Sequence, residues 1–218
     1  MTPAPYFDVR LTGMNLYEKY LLPRLVHMAC SGEPTTRQRE KVVPLATGRV
    51  LEVGIGTGLN IPFYNPDEVT HLWGLDPSEE IWSIAQKDAR QHHLDAEFIH
   101  AGAEDIPLDD NSADTVVMTY TLCSIPDTFA AMSEIRRVLK PGGKLLYCEH
   151  GKAPDERVLR WQNRLNPVWK VFSGGCHLHR PIPEILKQTG FRTADMQTMY
   201  LPGWKPASFN YWGTAIPK

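Results

Sequence analysis

Apolar residues recur along this chain in two rhythms. Nearly continuous apolar runs at Val50–Val53, Val69–Leu75 and Thr115–Thr119 predict strands covered on both faces, as in a parallel sheet, with Ala96–His100 and Leu145–Glu149 completing the set. Between them the spacing turns helical. Asn15 caps a helix carrying Leu16, Tyr20, Leu21 and Leu25, kinked or restarted at Pro23. Ser31–Pro34 reads as a turn, and a helix runs from Thr36 to near Leu45. Ser78–His93 is a helix with Ile81, Ile84 and Ala85 on one face. Asp127 caps a helix to Leu139 that Lys140-Pro-Gly-Gly143 stops, and Pro183–Thr189 is a helix ended by Gly190. Phe191–Tyr200 and Ser208–Ile216 predict a closing antiparallel pair.

Strands alternating with helices make an α/β chain with a doubly wound, mostly parallel sheet. No repeat or linker interrupts it, so residues 1–218 are expected to form a single domain. Residues 1–47 form a helical lid or a packed flank, with Tyr17 or Tyr20 reaching inward in the first case. Residues 151–182, rich in aromatic and basic groups, are an insertion on the acceptor side of the cleft.

Charge narrows the partners. The net charge of −2 offers no basic footprint for nucleic acid. Cys30, Cys123, Cys148 and Cys176 stand far apart without a Cys-x-x-Cys pair, which favours reduced thiols in a cytoplasmic protein. Leu11–Cys30 is fairly apolar, but Glu18, Lys19, Arg24 and His27 break it, so no integral membrane segment is expected. The first residues show no signal-peptide pattern, so none is expected.

The stretch Gly48-Arg-Val-Leu-Glu-Val-Gly-Ile-Gly-Thr-Gly-Leu-Asn60 carries the clearest chemistry. A strand running into Gly54, Gly56 and Gly58 and then a helix-like segment lets backbone approach a nucleotide without Cβ interference. A dinucleotide fingerprint needs a small residue at position 59, where this chain has Leu59. Asp76, 18 residues beyond Gly58 and just past the second strand, suits a ribose diol; a helix cap is its plainer reading. Tyr120-Thr-Leu-Cys-Ser-Ile-Pro126 and Glu149-His150-Gly151 lie at strand carboxyl ends, where open α/β sheets bind ligands.

Acid-x-Gly-x-Gly-x-Gly at 52–58, Asp76, and Arg136-Arg-Val-Leu-Lys-Pro-Gly-Gly143 together resemble the class I S-adenosylmethionine (SAM) methyltransferases along nearly the whole chain. Asn60-Ile-Pro-Phe-Tyr64, Thr121-Leu-Cys-Ser-Ile125, Glu149-His150, Trp161-Gln162, Asn166-Pro167-x-Trp169 and Gly175-Cys-His-Leu178 resemble the branch of animal alkyl thiol S-methyltransferases and their bacterial relatives. The resemblance implies a seven-stranded sheet with an antiparallel last strand, and SAM as cofactor. It implies that Gly54, Gly56, Gly58 and Asn60 surround the methionine part of SAM, with Glu52 ordering the loop. Asp76 and Pro77 would hold the ribose, Ala103 and Glu104 flank adenine, and Tyr120 and Leu122 border the sulfonium. Gly102 stands where many family members place an acid for the adenine amino group. The animal relatives carry an N-terminal membrane anchor, which is not expected here.

On the acceptor side the expectation is in-line transfer of a methyl group to the sulfur of a small thiol or sulfide. A thiol near its ordinary pKa of about 8.5 arrives protonated, and a histidine near about 6.5 can take the proton. His150 is one candidate and its plain alternative a turn histidine; His177 is a second candidate, and Cys123 either lines the pocket or packs as a small apolar residue. Cys176, His177 and His179 cluster without a fourth ligand at standard spacing, so no metal is expected. The alternatives are N-methylation of an amine or phospholipid headgroup, O- or C-methylation of a quinone-like molecule, a SAM-binding sensor without catalysis, and a dinucleotide oxidoreductase.

Overall fold

The structure is a computed structural model that describes residues 22–78 and 82–218. The expectations for the leader, for Asn15, Leu16, Tyr17, Tyr20 and Leu21, and for Ile81 lie outside the described residues; of that first helix, Pro23 stands in the opening turn of the segment Leu22–Cys30 and Leu25 is exposed.

Seven strands form one sheet: β1 Gly48–Val53, β2 Val69–Asp76, β3 Ala96–His100, β4 Ala113–Thr119, β5 Leu139–His150, β6 Phe191–Tyr200 and β7 Phe209–Pro217, in the order β3-β2-β1-β4-β5-β7-β6. β1 to β5 pair in parallel, while β7 runs antiparallel to both β5 and β6. The helices are α1 Leu22–Cys30, α2 Glu33–Val42, α3 Trp82–Gln91, α4 Thr128–Val138, α5 Glu156–Phe172, α6 Ile182–Gln188 and the single turn α7 Lys205–Ser208.

Both sheet faces are covered, which explains why the central strands are apolar without alternation. Leu51, Val53, Val116, Met118, Leu145 and Tyr147 pack on one side with Ala131, Met132 and Ile135 of α4 and Ile182, Ile185 and Leu186 of α6. The intervening Val50, Val117, Leu146 and Cys148 face the other side, with Val42 of α2 and Ala85 and Ala89 of α3. Successive strand residues thus enter two separate cores.

Several expected elements shift. No α-helix follows the glycine turn; the chain makes one 3-10 turn, Ile61–Phe63, because Pro62 and Pro66 leave no room for a regular helix and the Asn60 side chain is engaged elsewhere. α2 starts at Glu33 instead of Thr36, since Pro34 fits a first helical turn. Ile84 is exposed; the buried face of α3 is Ala85 and Ala89. β5 begins at Leu139, so Lys140–Gly143 belongs to a bulged strand, not a free stop: Lys140 Nζ pairs with Asp114 Oδ1 at 2.7 Å across the register shift opposite it. Most of 151–182 is the 17-residue helix α5, which tolerates Pro167 inside it.

Candidate active site

The strand order reverses between β1 and β4, and the loops leaving their carboxyl ends face each other there. One is the turn after β1. Its three glycines have positive φ (+74° at Gly54, +54° at Gly56, +83° at Gly58), so each needs the freedom of glycine, but they do different work. A Cβ on Gly54 would strike Thr121 at 2.4 Å, and one on Gly58 would strike the backbone of Ala85 at 2.9 Å. These two allow close packing of loop on loop and loop on α3. At Gly56 a Cβ meets nothing nearer than Gly54 O at 4.0 Å. Gly56 is therefore the position whose face is open to a ligand.

Glu52 and Asn60 hold this turn from beneath. Glu52 Oε1 accepts from Asn60 Nδ2 at 2.9 Å and Oε2 from the Tyr64 hydroxyl at 2.7 Å. Asn60 Nδ2 also donates to Thr119 Oγ1 at 3.0 Å, tying the turn to the end of β4. Glu52 and Asn60 are buried, and burial pushes the Glu52 carboxyl up to about 7. Both act by positioning the loop.

Asp76 closes the other side. Its Oδ2 accepts from Gly56 N at 3.0 Å and its Oδ1 from Ser78 N at 2.9 Å. The second contact is a local turn bond two residues on, where the plainer reading expected a helix cap. A carboxylate has about four acceptor sites, so two remain for a diol. Burial raises the Asp76 pKa, opposed by these two backbone bonds. Pro77 O pairs with His100 Nε2 at 2.9 Å. Ala103 is buried, while Glu104 turns toward α4, where its Oε1 accepts from Asp127 N at 3.2 Å. Leu122 is fully buried. Tyr120 has a positive φ of 54° and points its hydroxyl to Asn210 Oδ1 at 2.8 Å, with the Arg39 guanidinium 5.1 Å over its ring.

The loop after β4 is anchored from β5. Glu149 Oε1 accepts from Thr121 N at 2.8 Å and Leu122 N at 3.0 Å, while its Oε2 is buried without a partner. Burial raises the Glu149 pKa to about 7.

On the acceptor side, tertiary structure groups residues that sequence left scattered. Ligand-type atoms of Cys123, His150 and Cys176 all lie within 4.8 Å of one another. His150 Nε2 is 3.2 Å from Cys176 Sγ, which also accepts from Trp169 Nε1 at 3.4 Å. His150 Nδ1 is buried without a partner. Hydrogen bonding from Cys123 and then from His150 holds the Cys176 thiol low, and the Cys123 thiol is correspondingly raised. Burial pulls the imidazole of His150 down, but Cys176 outweighs it and the net shift is upward. His177 stands apart: its backbone N donates to Cys123 O at 2.8 Å, while its ring faces His179 at 6.3 Å and burial, then Arg180, lowers it to about 4. His177 meets His179 edge to face; Cys176, not His177, joins His150.

Gln162 is what brings Cys176 there. Fully buried, it accepts from Ala153 N at 3.0 Å and shares its amide among the carbonyls of Gly151, Leu178 and Pro206 within 3.0 Å. Asn166 adds a bond from Leu178 N at 2.9 Å, and Arg180 reaches Ile125 O at 2.6 Å. A sequence signal for this was present in the polar pair Gln162 and Asn166, one helical turn apart on the apolar face of α5. The buried Arg39, bonded to Cys30 O at 2.6 Å, carried no such signal.

Residues 51–147 match the methyltransferase domain family. Thiol S-methyltransferase TMT1A of Homo sapiens is 30% identical over 217 residues, covering 97% of this chain and 85% of the relative. The chain belongs to the SAM-dependent methyltransferases. Thiol S-methyltransferase TMT1B of Rattus norvegicus is 36% identical over 166 residues, 74% of this chain, which spans 65% of that relative. A SAM-dependent methyltransferase of Thermotoga maritima, described as a possible histamine N-methyltransferase, superposes with a TM-score of 0.64 at 22% identity over 94% of this chain and 99% of its own. S-adenosyl-L-methionine is accordingly the cofactor of this enzyme, and the cleft suits it. Gly56 presents an open face and Asp76 keeps spare acceptor sites beyond its two backbone bonds, as such a ligand requires. Among the described residues no helix is long and apolar enough to cross a membrane.

Proposed function

We propose that this methyltransferase acts on the sulfur of a small thiol. The observation that carries the reading is the match to a thiol S-methyltransferase along 97% of the chain, which reaches past the donor half into the acceptor side. The acceptor side itself supports it, because the ionisable groups clustered there are a buried thiol, a buried imidazole and the half-buried Cys176 thiol.

Bound SAM supplies an electrophilic methyl group on a sulfonium. Gly56 would leave room for its amino-acid part and Asp76 would accept from its ribose hydroxyls. Ala103 and Leu122 would back the adenine and sulfonium regions, and Glu52, Asn60 and Glu149 set the backbone around them. Such fixed orientation can supply about 7–11 kcal/mol of a displacement barrier. A neutral thiol must lose its proton, and the His150–Cys176 pair lies where the β5 edge meets the cleft.

Purified protein incubated with SAM and a panel of alkyl thiols, aryl thiols, amines and phenols tests the assignment. Methylated thioether together with S-adenosylhomocysteine is expected. Transfer to amines, phenols or quinols with none to any thiol overturns it.

A further inference from the structure

We propose that Cys123, His150 and Cys176 form a two-cysteine, one-histidine site for a single zinc-type divalent ion, whose open fourth position takes the acceptor thiol as a thiolate. The proposal rests on the thiol reading above for its substrate but not for the ion site.

Three donors from three separate segments converge: Cys123 from the loop after β4, His150 from the last residue of β5, and Cys176 from the loop after α5. Around a tetrahedral ion with Zn–S near 2.3 Å and Zn–N near 2.0–2.1 Å, donors sit roughly 3.5–3.8 Å apart. The observed donors all lie within 4.8 Å, with His150 Nε2 and Cys176 Sγ at 3.2 Å, so an ion is accommodated by side-chain rotations alone. The backbone is already held in place by His177 N on Cys123 O, Asn166 on Leu178 N and Gln162 on Gly151 and Leu178.

The chemistry of the donors selects the metal. Two thiolates and an imidazole favour zinc over magnesium or calcium, which want oxygen. Trp169 Nε1, donating to Cys176 Sγ at 3.4 Å, is an outer-sphere partner of the kind that steadies a metal thiolate. Among the described residues no fourth donor joins the group, and sites with three protein ligands keep an exchangeable position. Cys176 is partly exposed, so that position can be reached.

The ion would replace a proton acceptor. An incoming thiol binds at the open position and gives its proton to water, because a coordinated thiol is deprotonated. The thiolate electron pair forms the new S–CH₃ bond, and the methyl–sulfonium bond breaks with its pair returning to the donor sulfur. The neutral thioether is a poor ligand and leaves.

Metal analysis of the full chain after zinc loading and gel filtration is expected to give one zinc per chain, with at least a tenfold weaker affinity in Cys123→Ser, His150→Ala and Cys176→Ser. Cobalt substitution is expected to give a sulfur-to-cobalt charge-transfer band that shifts on adding ethanethiol. Chelation is expected to abolish thiol methylation while calorimetric SAM binding persists, which also reports that the variants remain folded. Full thiol methylation by metal-free protein overturns the ion site and leaves the thiol reading standing. A cobalt spectrum present but unmoved by thiols overturns the open position. So does loss of metal in Cys30→Ser, since Cys30, whose thiol feels the charge of Cys176, would then be the fourth ligand that closes the site. One bound zinc with methylation of amines alone leaves the site intact and removes the thiol reading instead.

Discussion

Asn60 donates its side-chain amide to Glu52 at 2.9 Å, beneath a turn that carries all three motif glycines. With Tyr64 on the second oxygen, the carboxyl of Glu52 is used up inside the protein. The acid of the motif therefore shapes the turn from below, and on the reading proposed above the ligand-facing work falls to Gly56 and Asp76.

This buried acid makes stability depend on pH. Its folded pKa of about 7 lies above the ordinary carboxyl value of about 4.3, so the folded state holds a proton that the unfolded chain has lost between these limits. The resulting penalty is absent below about pH 4, grows through the interval and is complete above about pH 7, reaching on the order of 3 kcal/mol. Urea unfolding at several pH values should show that Glu52→Gln flattens this slope. An unchanged slope in the variant would assign it to other groups.

The glycines separate by experiment. Gly56→Ala adds a methyl to open space and strains only φ, so it should cost about 1 kcal/mol of stability while weakening SAM binding at least tenfold. Gly58→Ala forces a Cβ to 2.9 Å from the Ala85 backbone and should cost more stability than Gly56→Ala. Thermal unfolding beside calorimetric titration with S-adenosylhomocysteine distinguishes the two.

Asp76→Asn replaces an acceptor-only group with one that accepts at a single oxygen. Loss of charged hydrogen bonds worth roughly 1.5–3 kcal/mol should weaken SAM binding about tenfold to a hundredfold with the fold retained. A Kd within twofold of the parent protein would remove Asp76 from ribose binding.

Asp127 accepts from Phe129 N and Ala130 N at the start of α4. Asp127→Ala should lower stability by about 1 kcal/mol in denaturant titration, the usual worth of such a cap.

The sequence by itself determined the strands and their order of appearance. β3 and β6, the two edge strands, have the expected bounds although few of their residues are buried, because turn residues flank them on both sides. It also determined the donor-side family, since glycine at a positive φ and an acid after the second strand leave a direct trace in residue type. The motif implies that Glu52 orders the loop, but that it does so through Asn60 and Tyr64 comes from their geometry.

Only the tertiary structure decided what those glycines touch and which acceptor-side groups meet. Gly54 and Gly58 look like Gly56 in sequence, and their packing roles depend on Thr121 and Ala85 arriving from elsewhere. The helix over Glu156–Phe172 was hidden by its internal Pro167 and its mixture of aromatic and basic residues. Because that helix carries Gln162 and Asn166, its placement decided that Cys176 meets His150 across 26 residues while His177 stays outside the group. Such a meeting follows from the path of the backbone between the two residues, and no local pattern encodes it.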